Sequence, residues 1–323
     1  MKAAVIYQKG GMPQYVEVPE PVVQNNNQLI LSVKAAAIKH IDKGRASGKH
    51  YSTENSEQHA TIIGGDGVGF LDDGTRVFAV GMTGMMAEKA LVEKTRVVKL
   101  PSGIDDATAA ALPNAVAGSA MALRFRAQMK TGDTVLINGA TGVTGKVAVQ
   151  IAKHYGAKKI IVTGRNVESL DSLMSLGADE MISINQGDAQ FVTQLKAIHD
   201  TTPIDMVIDY LWGHTAELIL SSLKGTGSFS HRVRYVSVGA ITGENIQLSS
   251  AILRSADLQL VGSGLGSWSK EEMQQLFSEI LPEMFELAAS NKLKVETEIC
   301  NFIDIEKVWN MQVPSGKRLV IVL

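Results

Sequence analysis

The sequence predicts an α/β fold in which a parallel, doubly wound sheet accompanies a separate β-rich domain. Three observations predict it. From about residue 118 short apolar runs alternate with amphipathic helical segments, a rhythm that demands parallel strands joined by crossover helices. Inside that stretch a glycine turn, Gly139-Ala140-Thr141-Gly142-Val143-Thr144-Gly145, leaves an apolar run and opens a helical one. Before it, and again at the closing Arg318–Leu323, the pattern is of β runs without following helices. The 323 residues, 45% of them apolar, suffice for two cores and exclude a disordered or fibrous chain.

Residues 1–117 carry short β runs such as Gln28–Lys34 and Thr75–Val80, separated by Gly, Pro and Asn turns, with a helix-like Asp42–Ser47. The weakly apolar stretch Ala107–Leu123 contains Pro113 and Asn114 and is shorter than the roughly 20 residues of a membrane span. Strands are then expected at Thr134–Asn138, Lys159–Thr163, Glu180–Ile184, Met206–Asp209, Tyr235–Val238 and Leu258–Val261. Helices are expected at Val143–Tyr155, Glu168–Leu176, Asp188–His199, His214–Leu223 and Lys270–Ala289. These spans divide the chain into 1–117, 118–264 and 265–323, with the last segment returning to the first.

Charge and cysteine usage narrow the partners. Thirty-one basic against 33 acidic residues give a net charge of −2, with no basic face for nucleic acid. The single Cys300 can form no internal disulfide, and Met1-Lys2 leads directly into a strand-like run, so a cytoplasmic protein is expected. His40, His50 and His59 have no compact ligand spacing, and no metal site is expected from them.

The glycine turn carries the chemistry. A small residue at the strand exit permits a tight turn, Gly142 lets backbone approach a pyrophosphate, and Gly145 lets the helix lie against the strand. The helix N-terminus adds unpaired N–H groups and partial positive charge. The next strand ends Thr163-Gly164-Arg165-Asn166, without the acid that would accept from ribose hydroxyls, and Arg165 offers planar donors for a 2′-phosphate. NADPH is therefore expected over NADH, the ordinary alternative being that Arg165 is a solvated loop charge. Lys146 and Arg232 are further phosphate candidates, though each also suits the surface.

With these residues in place the chain resembles the medium-chain dehydrogenase/reductase superfamily, and within it the zinc-free quinone oxidoreductases. The likeness runs through the opening Met-Lys-Ala-Ala-Val, Ile41-Asp42, Ser47-Gly48, Ile63–Gly69, Ala109–Pro113, the glycine turn and Gly316-Lys317. It implies a GroES-like catalytic domain, a Rossmann domain, a cleft for NADPH and a small-molecule substrate, and a homodimer paired along the edge strand near Leu258–Gly262. Zinc members carry Cys where this chain has Lys39, His-Glu at Gly65-Asp66 and a further Cys near Asn114, so the ligands are missing.

The resemblance also implies the remaining site residues. At the catalytic end Lys39 replaces an Asn and Tyr51 stands one residue beyond a family Tyr; Tyr51, Lys39 or water would supply the proton or stabilise the oxyanion. Cofactor contacts are expected from Asn114, Gly139, Ala140, Thr141, Gly142, Val143, Gly145, Gly164, Arg165, Asn166, Leu211, Gly239, Ile241, Gly264 and Leu265, with Lys317 substituting for a family Arg lost at Val313. The expected activity is NADPH-dependent, zinc-independent reduction of a quinone or α,β-unsaturated carbonyl compound. A zinc-free alcohol or aldehyde oxidoreductase and a noncatalytic NADPH-binding redox sensor are the alternatives.

Overall fold

The computed structural model describes residues 1–50, 59–227 and 229–323. The chain forms two compact units, Met1–Asn114 with Gln274–Leu323, and Ala115–Met273. Among the described residues no helix is long and apolar enough to cross a membrane.

The first unit opens with β1 (Lys2–Ile6), β2 (Gln14–Glu17), β3 (Gln28–Ile38), a short helix α1 (His40–Ala46), β4 (Thr61–Ile62), β5 (Asp66–Leu71), β6 (Arg76–Gly81) and β7 (Lys89–Lys99). Strand β3 pairs with both β5 and β7, and β6 joins these two, so the antiparallel sheet closes on itself. Closure brings backbones together: a Cβ on Gly69 would stand 2.0 Å from the Ser32 carbonyl oxygen, so only glycine fits beside the β3 irregularity.

Helix α2 (Asp106–Met121) continues through Pro113. Burial explains it: Ala109, Ala110, Ala111, Leu112, Ala115 and Val116 are all enclosed, and tertiary packing outweighs the roughly 3 kcal/mol that an interior proline costs a helix.

The second unit alternates β8 (Thr134–Asn138), α3 (Val143–His154), β9 (Lys159–Gly164), α4 (Val167–Ser172), β10 (Glu180–Ser183), α5 (Asp188–Thr201), β11 (Met206–Asp209), α6 (Gly213–Ser222), β12 (Val233–Ser237) and β13 (Leu258–Gly262). The six strands are parallel in the order β10-β9-β8-β11-β12-β13, the doubly wound Rossmann arrangement. Every residue of β8 and β11 is buried, as central parallel strands require, whereas the edge strand β13 is largely exposed. A helix at Ser250–Ser255, unexpected from sequence, is capped by the Ser249 hydroxyl, which accepts from the Ala251 N–H at 3.3 Å. The expected helix 270–289 is instead two α segments joined by a π turn at Leu276–Ile280, just before Pro282, which has no N–H to give.

After this the chain adds β14 (Glu296–Asn301) and β15 (Lys317–Val322) to the first unit's sheet. Strand β15 lies antiparallel to β3, with Leu319 opposite Ile38. The return closes a core of Leu31, Val33, Val77, Met86, Trp309 and Ile321. The GroES-like and Rossmann architectures expected from sequence are thus both present.

Candidate functional site

In the second unit the chemistry gathers at the carboxyl ends of the parallel strands, where open α/β sheets bind ligands. The three glycines of the turn have distinct physical reasons. Gly139 has φ +82°, and a side chain there would meet Leu211, whose Cγ stands 2.8 Å from the Cβ position. Gly145 lets α3 approach its strand, because a Cβ would come within 2.5 Å of Ala140 Cα. Gly142 is different: its Cβ would find only the Gly139 carbonyl oxygen at 4.0 Å. Fold closure does not require it. It is the N-cap of α3, has no side chain of its own to cap that end, and is followed by Val143 at the helix start, a setting in which first-turn N–H groups can receive an anion. These features fit a dinucleotide pyrophosphate.

Adjacent strands frame the turn. Ala140 is buried and donates its N–H to the Thr163 carbonyl at 2.9 Å. Gly164 ends β9 where a Cβ would stand 2.7 Å from Thr141 Cγ2, so Gly164 and Thr141 are neighbours. Arg165 is exposed beyond them, and its carbonyl accepts from Asn185 Nδ2 at 2.9 Å. Asn166 caps α4, its Oδ1 accepting from the Ser169 N–H at 2.7 Å. Gly239 follows β12 with its Cβ position 2.8 Å from the Tyr210 carbonyl oxygen. Ile241 and Leu265 are exposed, and the Gly264 N–H donates to Ser267 Oγ at 2.9 Å.

Beneath the turn lies a polar network that sequence reading passed over. Asp209, at the end of β11, is fully buried. Its Oδ1 accepts from Asn138 Nδ2 at 2.7 Å and from the N–H groups of Leu211 and Trp212 at 2.8 and 3.0 Å, while Oδ2 accepts from the Tyr235 hydroxyl at 2.7 Å. Burial pushes the carboxyl above the ordinary aspartate range, against the pull of these donors, and pushes the Tyr235 phenol well above its own. Trp212 has φ +59°, a backbone conformation that large side chains rarely adopt. The available signal was an acid closing an otherwise apolar strand.

In the first unit Lys39 is buried at the end of β3. Its ammonium lies 2.6 Å from Asp66 Oδ1 and 3.2 Å from Asp42 Oδ2. Asp42 also accepts from the Lys39 and Gly65 N–H groups; it stands in the first turn of α1, with Lys39 at the N-cap, and is also a partner of the lysine. Burial disfavours charge on Lys39, but Asp42 and Asp66 outweigh it and hold the ammonium above the ordinary lysine range. Arg318, the second residue of β15, is also buried and interacts electrostatically with both carboxylates. Lys317 lies 3.6 Å from Glu298, and Asn114 is partly buried in α2. Tyr51 lies outside the described residues.

Residues 143–282 match the family model described as zinc-binding dehydrogenase. A probable NADPH-dependent quinone reductase of Emericella nidulans is 28% identical, over 96% of each chain. The quinone oxidoreductase of Homo sapiens is 28% identical, over 85% of this chain and 83% of its own. Among solved structures, the quinone oxidoreductase of Thermus thermophilus, also solved in complex with NADPH, superposes with a TM-score of 0.81 at 25% identity over the full length of both chains. Zinc is the metal the family description implies, and Lys39, Gly65 and Asp66 do not fit it. Lys39 brings an ammonium that already balances the carboxylates, Gly65 has no side chain, and a divalent ion would add positive charge to that of Lys39 and Arg318.

Proposed function

We propose, from the premise that this chain is a quinone oxidoreductase-like protein of the medium-chain dehydrogenase/reductase superfamily, that it is an NADPH-dependent, zinc-independent reductase of quinones or α,β-unsaturated carbonyl compounds. The observation that carries this reading is Gly142: open at the head of α3, it stands in the same turn as Thr141, beside a β9 end that presents Arg165 and no acid. Bound NADPH supplies a hydride. The chain supplies position and polarity: backbone N–H groups of the turn hold the pyrophosphate, and Arg165 pairs with the 2′-phosphate. Asn166 keeps its carbonyl on the α4 cap and has its amide group to offer, while Leu211, Ile241 and Leu265 provide apolar walls.

On the catalytic side the Tyr51 hydroxyl is the candidate proton donor to the acceptor oxygen, with water as the other source. Lys39, paired with Asp42 and Asp66, has its charge balanced within its unit, and its part in this reading is to position the end of β3 and the head of α1. The exposed apolar edge of β13, with Leu260 and Val261, supports a homodimer, and a single cysteine supports a cytoplasmic setting.

The test follows oxidation of NADPH and NADH by the purified protein against quinones, enones, alkenals and aldehydes, with and without chelator. NADPH-driven reduction of quinones or enones that survives chelation is expected. Loss on chelation, or a preference for NADH, would overturn the reading, and NADPH binding without turnover would favour the noncatalytic alternative. Arg165→Ala should weaken NADPH by tenfold or more, since a hydrogen-bonded charge pair is lost, while leaving NADH nearly unchanged.

A further inference from the structure

The network under the glycine turn has a direction. The Gly139 N–H donates to Thr163 Oγ1 at 3.3 Å, the Thr163 hydroxyl donates to Asn138 Oδ1 at 2.6 Å, and Asn138 Nδ2 donates to Asp209 Oδ1 at 2.7 Å. A carboxylate can only accept, so Asp209 fixes which way the Asn138 amide faces. That orientation leaves the Asn138 oxygen to take the Thr163 proton. The Thr163 oxygen is then free to accept from Gly139, the residue whose positive φ starts the turn. Asn138, Thr163 and Asp209 are each fully buried, so no water competes for these bonds.

Strand register makes the chain possible. Asn138 stands opposite Thr163 in the β8–β9 ladder and opposite Asp209 in the β8–β11 ladder, so the three side chains form a row across the strand ends. The same carboxylate accepts the Leu211 and Trp212 N–H groups, and the Leu211 side chain lies where a Cβ on Gly139 would stand. One buried acid therefore braces the turn twice: through the relay, and through the residue that covers it.

We infer that Asp209, acting through Asn138 and Thr163, is a positioning residue for cofactor binding, holding Gly139 in the conformation that aims the turn's N–H groups. The inference rests on the NADPH reading above. Its central test measures the NADPH dissociation constant by fluorescence titration, with the melting temperature of each unliganded variant. Thr163→Val keeps the shape and removes the hydroxyl, and should weaken NADPH about tenfold, the size of one hydrogen bond. Thr163→Ser keeps the hydroxyl and should restore most of that affinity. Asp209→Leu should also weaken binding, and the double variant should lose less than the product of the two single losses, because both cut one relay.

A lower melting temperature in Thr163→Val with unchanged NADPH affinity would make the network merely structural and overturn the inference. So would a Thr163→Ser protein as weak as Thr163→Val. If Asp209→Leu does not fold, the threonine pair decides alone. Wild-type protein that fails to bind NADPH removes the cofactor reading itself, whereas wild-type binding with unaltered variants removes only the positioning role.

Discussion

Lys39 and Asp209 are both buried ionisable groups at the ends of β-strands, and the two units enclose them in opposite ways. Around Lys39 the charge is met by charge, from Asp42 and Asp66. Around Asp209 it is met by neutral donors alone: an amide, a phenol and two backbone N–H groups. The difference is one of purpose. Ion pairs hold a position firmly but fail badly when one member is removed, because the survivor is left uncompensated. Neutral donors share the load, and the amide transmits orientation, because it has a donor end and an acceptor end. The first arrangement suits a fixed point in a closed sheet. The second suits a turn that must be aimed.

Three substitutions test that contrast, beginning with the largest effect. Asp66→Ala should destabilise the protein by about 3–5 kcal/mol in chemical denaturation, because Lys39 keeps its charge with half its compensation gone. A loss below about 1 kcal/mol would mean that Lys39 is not held as a buried ion. Tyr235→Phe removes one of four donors to Asp209 and should cost about 1.5 kcal/mol, the remaining three sharing the charge. A loss as large as that of Asp66→Ala would erase the distinction between the two clusters.

The smallest effect concerns a neutral acceptor elsewhere in the second unit. His199 Nδ1 accepts from the Ile204 N–H at 3.1 Å, and burial, aided by His231, lowers its pKa against the opposing pull of Asp200 and Asp205. The sign follows: with a folded pKa below the ordinary 6.5, its stabilisation is complete above that value and is lost as pH falls through the folded pKa. The loss is at most about 1.4 kcal/mol per pH unit. His199→Asn keeps an acceptor without the titration, and should flatten the dependence of melting temperature on pH between about 7 and 5. An unchanged slope would place the acid sensitivity on other groups.

What was legible in the sequence was local. The apolar run 134–138 and its glycine turn announce β8 and α3 because strand burial, turn chemistry and helix entry all fall within a dozen residues. Thr163, Asn138 and Asp209 could not be joined that way. They are 25 and 71 residues apart in sequence and meet only through the register of three parallel strands. Lys39 shows the same limit from the other side: its replacement of a metal-ligand residue could be read from the family pattern, but its partnership with Asp66 depends on where β5 begins. Pro113 shows the limit of a local signal, because buried residues on both sides keep its helix intact.

The pairing of β15 with β3 has a consequence for how the chain is made. Residues 115–273 form their unit from one continuous stretch, so a ribosome delivers all of its strands before the return segment emerges. The other unit has no such independence. Ala35 to Ile38 meet their partners only when Leu319 to Val322 arrive, some 280 residues later. Until then the Ala35–Ile38 end of β3 lacks this neighbour, and a long-range closure of this kind is a slow step. Residues 115–273 are thus poised to fold before the return segment arrives, while the Lys39 cluster is completed only when Arg318 joins it.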